Sequence, residues 1–99
     1  MKVKVVITGS SYNIMAKRTV ATAIRQSKHN SEEHHNKDGH GNTLSHWFDF
    51  ETKADAMAAI KDAWSYIKNE CNPNEFDGYG HNEESVHYDG ATACITIDK

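Results

Sequence analysis

Val3, Val5 and Ile7 alternate with Lys4, Val6 and Thr8. A period of two in β-branched residues predicts a strand, and Val6 predicts a second face that is itself partly covered. Gly9-Ser10-Ser11 punctuates its end. The period then lengthens. Between about Asn13 and Lys28, Ala16, Val20, Ala23 and Ile24 fall on one helical face, with Ile14 and Met15 at its start. Ser10, Ser11 or Asn13 suits the N-cap.

His29 to Asn42 contains no aliphatic or aromatic residue, so it adds nothing to a core. Asp38-Gly39 is a tight-turn signal, and a weak strand fits Ser31 to Asn36. The segment is expected to be a polar hairpin arm or a loop. Alternation returns at once: Leu44, His46, Phe48 and Phe50 against Ser45, Trp47, Asp49 and Glu51. Thr52 follows as a helix cap, with Asp55 three residues on. Met57, Ile60, Trp64 and Ile67 make a helical stripe, with Ala56 and Ala63 beside it, ending before Asn72-Pro73. Asn74 to Glu84 reads as a loop. Ser85 to Tyr88 and Ala91 to Asp98 read as a hairpin closed by Asp89-Gly90. Pairing Tyr88 with Ala91 sorts Val86, Tyr88, Ala91, Ala93, Ile95 and Ile97 to one side. His87, Thr92, Cys94 and Thr96 go to the other.

The order is β-α-(β)-β-α-β-β, an α+β domain with two helices packed on one face of an antiparallel or mixed sheet. If the His-rich segment supplies a strand, the order contains the ferredoxin-like, split βαβ pattern with an extra C-terminal hairpin strand. In that architecture Trp47, His87, Thr92, Cys94 and Thr96 face away from the helices. The 99 residues suffice for a single domain, 1–99, with the polar stretch 29–42 as a loop or arm.

Charge narrows the function classes. Eleven basic and fourteen acidic residues give a net charge of −3, which argues against generic phosphate-backbone binding. No apolar run approaches the roughly 18 residues of a spanning helix, so no membrane role is expected. The apolar run at the N-terminus is too short for a signal segment. Cys71 and Cys94 lack C-x-x-C spacing and imply no disulfide framework. A cytoplasmic protein with two free thiols is expected.

Seven histidines are the main candidate chemistry. His34, His35 and His40 are the metal candidates, since imidazole suits zinc or nickel. No H-E-x-x-H or paired-Cys spacing supports them, so no cofactor is the primary expectation and zinc or nickel the alternative. His46 differs, because it falls on the apolar face of its strand and reads as a hydrogen-bonded boundary histidine. His34-His35 beside Glu32-Glu33, or His81 near Glu83-Glu84, offers acid–base groups, but no nucleophile stands out and no catalytic residue is assigned. Thr8-Gly9-Ser10-Ser11 matches no phosphate-loop pattern. The loop from Asn72 to Glu84 carries oxygen donors out of register for calcium, with Phe76 and Asp77 at the wrong positions.

Trp47 is expected on the sheet face away from the helices, where an aromatic suits a partner. Trp47, Tyr79 and His87 are therefore the partner-binding candidates. The reading is a small non-enzymatic protein-interaction module, a regulator or inhibitor of a larger protein machine. A metal-binding protein and a small His/Glu hydrolase or isomerase are the alternatives. The chain is expected as a monomer, or as a homodimer pairing through an edge at Ala91 to Ile97.

Overall fold

Alternation is realised most directly in β1 (Val3–Thr8), where Val3, Val5 and Ile7 are buried and Lys4, Val6 and Thr8 lie on the other face. The computed structural model describes residues 3–9, 14–27, 29, 31–37, 39–40, 43–73 and 78–97. Helix α1 (Ile14–Arg25) follows, then β2 (Ser31–Lys37), β3 (Thr43–Phe50) and helix α2 (Lys53–Tyr66), which runs into a π-helical turn (Ile67–Cys71). Three strands complete the chain: β4 (Tyr79–His81), β5 (Ser85–Tyr88) and β6 (Ala91–Ile97).

The described strands form one antiparallel sheet in the order β2-β3-β1-β6-β5-β4. Register carries the apolar residues to a common side. Val5 pairs with Phe48 and with Ile95, Ile7 with Ala93, and Ala93 with Val86. All six of these side chains are buried. Both helices cover that side: α1 contributes Ala16, Val20, Ala21, Ala23 and Ile24, and α2 contributes Ala56, Ala59, Ile60 and Ala63. The opposite face of the sheet carries no described element. Phe48 and Phe50 are the largest fully buried side chains, and each stabilises by about 2–3 kcal/mol through area removed from water.

The expected hairpin forms in the expected register. Tyr88 pairs with Ala91, and Asp89 and Gly90 take φ of 51° and 89°, the left-handed pair that a two-residue type I′ turn requires. Thr52 caps α2 through Oγ1, which accepts from the Asp55 backbone N–H at 3.1 Å. Asn72, at φ 45°, closes the π turn immediately before Pro73.

Several expectations are corrected. The first helix runs from Ile14 to Arg25 rather than from Asn13 to Lys28, and its candidate caps Ser10, Ser11 and Asn13 lie outside the described residues. Phe76 and Asp77, named in the calcium comparison, lie outside them too. The loop expected from Asn74 to Glu84 contains β4, paired with β5 through Tyr79–Tyr88, Gly80–His87 and His81–Val86. Helix α2 is rotated from the expected stripe. Alanines 56, 59 and 63 sit at the centre with Ile60, while Met57 and Trp64 flank the core. Small side chains let α2 approach α1 and the sheet closely, and the bulky ones move to the rim. Finally, β6 is no edge. It lies between β1 and β5 with both sides paired, so Ala91 to Ile97 has no free ladder to offer a second copy.

Candidate functional site

Within the polar stretch 29–42, the weak strand expected at Ser31 to Asn36 is β2 (Ser31–Lys37), and its place beside β3 brings the candidate chemistry together. Successive residues of a strand point to opposite faces. Glu33 pairs with Phe48 and His35 with His46, so Glu33 and His35 share the helix-covered side with His46. Glu32 pairs with Asp49 and His34 with Trp47, so these four share the uncovered side.

On the covered side, Glu33 is the hub. Arg25, the last residue of α1, donates from Nε to Oε1 at 2.7 Å and from a terminal nitrogen to Oε2 at 2.5 Å. This is the two-pronged guanidinium–carboxylate pairing that fixes both position and plane. His46 Nε2 lies 2.7 Å from Oε2, and His35 Nε2 lies 3.2 Å from the same oxygen. The two imidazoles sit 4.0 Å apart between centroids, and His46 rests on Phe48 at 5.4 Å. Arg25 holds the Glu33 carboxyl down at about 2, aided by His46 and opposed by burial. Burial pushes His46 below its ordinary value of 6.5, and the hydrogen bond to Glu33 only partly offsets it. At neutral pH Glu33 is an anion and His46 a neutral ring. His46 is thus the hydrogen-bonded boundary histidine its position on the apolar face suggests, with a side chain only 12% exposed.

On the uncovered side, Trp47 stands at the centre. Its ring stacks on His34 at 5.2 Å and 18°, and Lys4 Nζ lies 5.4 Å from its centroid. His34 Nε2 comes within 3.1 Å of Asp49 Oδ2. The approach is too oblique for a hydrogen bond, and this buried nitrogen has no hydrogen-bond partner; nor does the buried indole nitrogen of Trp47. We treat the His34–Asp49 contact as an ion-pair distance without a directed bond.

Two sets of donor atoms lie close enough to share an ion, Glu33–His35–His46 on one side and Glu32–His34–Asp49 on the other. The expected triplet His34, His35 and His40 is divided by this arrangement. His34 and His35 are on opposite faces of β2 and cannot meet, and His40, in the turn beyond the strand, belongs to neither set. The partner candidates divide as well. His87 pairs with Thr92 on the uncovered face, three strands from Trp47, or roughly 15 Å at the usual strand spacing. Its ring lies over Gly80, where an added Cβ would fall 2.7 Å from Cε1. Tyr79 is on the helix side, stacked on Trp64 at 5.5 Å. His81 packs on the same indole at 4.6 Å, and with Glu83 borders a groove of about 430 Å³ between α2 and β4.

Arg25 and Asp49 are residues of the candidate site that sequence reasoning did not single out, whereas Glu33 entered it only as a chain neighbour of His34-His35. One signal was present for Glu33, because it stands two residues before His35 and a strand places such pairs on one face. Comparison of the chain with known protein families, with curated protein sequences and with solved structures finds no match.

Proposed function

We propose that this domain is a non-enzymatic protein-interaction module that binds its partner through the uncovered face of the sheet. The observation that carries the proposal is Trp47, an aromatic on the second strand of the sheet, stacked on His34 on a face with no described element over it. Aromatic residues held in a packed setting are the usual anchors of such surfaces. The chemistry of the face favours protein over nucleic acid: Lys4 is flanked by Asp49 on the same face, and the net charge is −3.

A catalytic reading has less support. Among the described residues, the groups within hydrogen-bond reach of the Glu33–His46 pair are Arg25 and His35, and neither is a nucleophile.

The proposal extends to architecture and setting. The β1-α1-β2 connection leaves a one-strand gap filled by β3; after α2 the chain first builds β4 and β5 at the far edge and only then returns as β6 beside β1, so the added strands precede the last one instead of following it. The filled gap supports a ferredoxin-like, split βαβ reading with β4–β5 added at one edge. No described helix is long and apolar enough to cross a membrane, which accords with a cytoplasmic regulator or inhibitor.

Affinity capture with the tag-free chain, followed by measured affinity for the protein recovered, tests the proposal. Trp47→Ala is expected to weaken that affinity by about 2 kcal/mol, the cost of losing an interface anchor. Tyr79→Ala, on the other side of the sheet, is expected to leave it intact. Equal affinity for wild type and Trp47→Ala overturns the sheet-face reading.

A further inference from the structure

We propose that Glu33, His35 and His46 form a binding site for one first-row divalent metal ion, of which zinc is the type case, on the helix-covered side of the β2–β3 ribbon. The site is separate from the face assigned to a protein partner and does not depend on it.

The geometry is that of a ligand set closed by a few tenths of an ångström. In a tetrahedral site with bonds of about 2.0–2.1 Å, neighbouring donor atoms stand ~3.3 Å apart. His35 Nε2 and Glu33 Oε2 are 3.2 Å apart, and His46 Nε2 and Oε2 are 2.7 Å apart. Both imidazoles present Nε2 to one carboxylate oxygen from rings tilted by 32° to each other. An ion entering there takes the Nε2 lone pairs, with each ring's proton on Nδ1, and opening the His46–Glu33 distance by about half an ångström brings both nitrogen–oxygen edges to tetrahedral length.

Two imidazole nitrogens and one carboxylate oxygen form a donor set for zinc, with one coordination position left for water. The His35 side chain is 41% exposed, which leaves a route from solvent.

Arg25 acts in two opposing ways. Its guanidinium fixes the plane of Glu33, as partners of metal-bound carboxylates do, and its positive charge opposes an incoming cation. The site therefore binds more weakly than a ligand set without that charge. Glu32–His34–Asp49, on the other face, has a single imidazole beside two carboxylates, with Lys4 paired across from Asp49, and makes the poorer zinc site.

Zinc chloride titrated into the full, tag-free chain tests the proposal, read by calorimetry and by the histidine ring nitrogens in long-range proton–nitrogen NMR spectra. Saturable binding of one zinc per chain is expected, with the Nε2 signals of His35 and His46 moving together. His35→Ala, which removes a largely exposed ring, and His46→Ala should each weaken binding by at least ~100-fold, beyond the loss typical of an outer partner. Circular dichroism confirms that each variant is folded, and the NMR assignment on wild type stands whether or not His46→Ala folds. His34→Ala and His40→Ala should leave binding unchanged. Binding that survives His35→Ala, ring shifts at His34 or His40 instead, or the absence of saturable binding up to millimolar zinc overturns the proposal.

Discussion

On the covered side of β2, Glu33 and His35 meet His46 and Arg25; on the uncovered side, Glu32 and His34 meet Asp49, Trp47 and Lys4. Both sides combine carboxylate, imidazole and a cation, yet their states differ. Glu33 receives directed hydrogen bonds from two elements and is held far below the usual carboxylate range. His34 approaches Asp49 without a directed bond, and the neighbouring indole nitrogen has none either. The difference comes from α1. Its last residue reaches over the edge of the sheet and fixes one side, and no described element does so for the other. A strand of alternating character presents similar chemistry to two environments, and the covering layer decides which set is locked.

Phe48→Ala should break the comparison outright. Phe48 is 1% exposed and its ring supports His46, so the loss should be about 3–5 kcal/mol by chemical denaturation, with the covered cluster loosened as well. A loss below 1 kcal/mol would mean that Phe48 does not anchor β3.

Acid should unlock the covered side in two stages. His46 titrates below 6.5 in the folded chain, so its contribution is complete above pH 6.5 and is lost as pH falls below that value. Glu33 titrates at about 2 against an ordinary 4.5, so its contribution is complete above about pH 4.5 and disappears as pH drops toward 2. Thermal unfolding across this range should show both stages. His46→Gln should flatten the upper one and Glu33→Gln the lower one, and a wild-type profile unchanged from pH 7 to pH 3 would contradict both.

Arg25→Ala sharpens the contrast at smaller amplitude. The arginine is half-exposed, so solvent screening limits the stability loss to about 1 kcal/mol or less. The Glu33 carboxyl should nevertheless rise toward its ordinary range, which a side-chain carbon NMR titration reads directly. Smallest of all is Lys4→Ala, worth about 0.5 kcal/mol from the cation over Trp47, with a shift in tryptophan emission as its readout.

Local pattern carried much of this fold into view before any coordinates. Alternation around Phe48 places Trp47 outward and His46 inward, and Asp89-Gly90 sets the β5–β6 register, because each depends only on neighbours in sequence. Three things depended on distant neighbours. The segment Tyr79–His81 is too short, and too broken by Gly80, to declare itself a strand without β5 beside it. Helix α2 turned its alanines inward because α1 lies close, which its own stripe of large residues cannot reveal. The clusters around Glu33 and His34 exist only through the pairing of β2 with β3, so counting histidines grouped His34, His35 and His40, which the register separates.

The central pairing also sets a timetable. Val3 lies beside Ile97, and β1 takes its two neighbours from β3 and from β6, the last strand in the sequence. During synthesis β1 can find β3 early, but its other flank stays open until β6 has been made. The sheet then closes in the middle, between strands far apart in sequence, which is the slow kind of closure. Until that moment the core beneath Val5 and Ile7 lacks Ala93 and Ile95, and an unfinished chain exposes a sticky apolar strip to whatever chaperone is at hand.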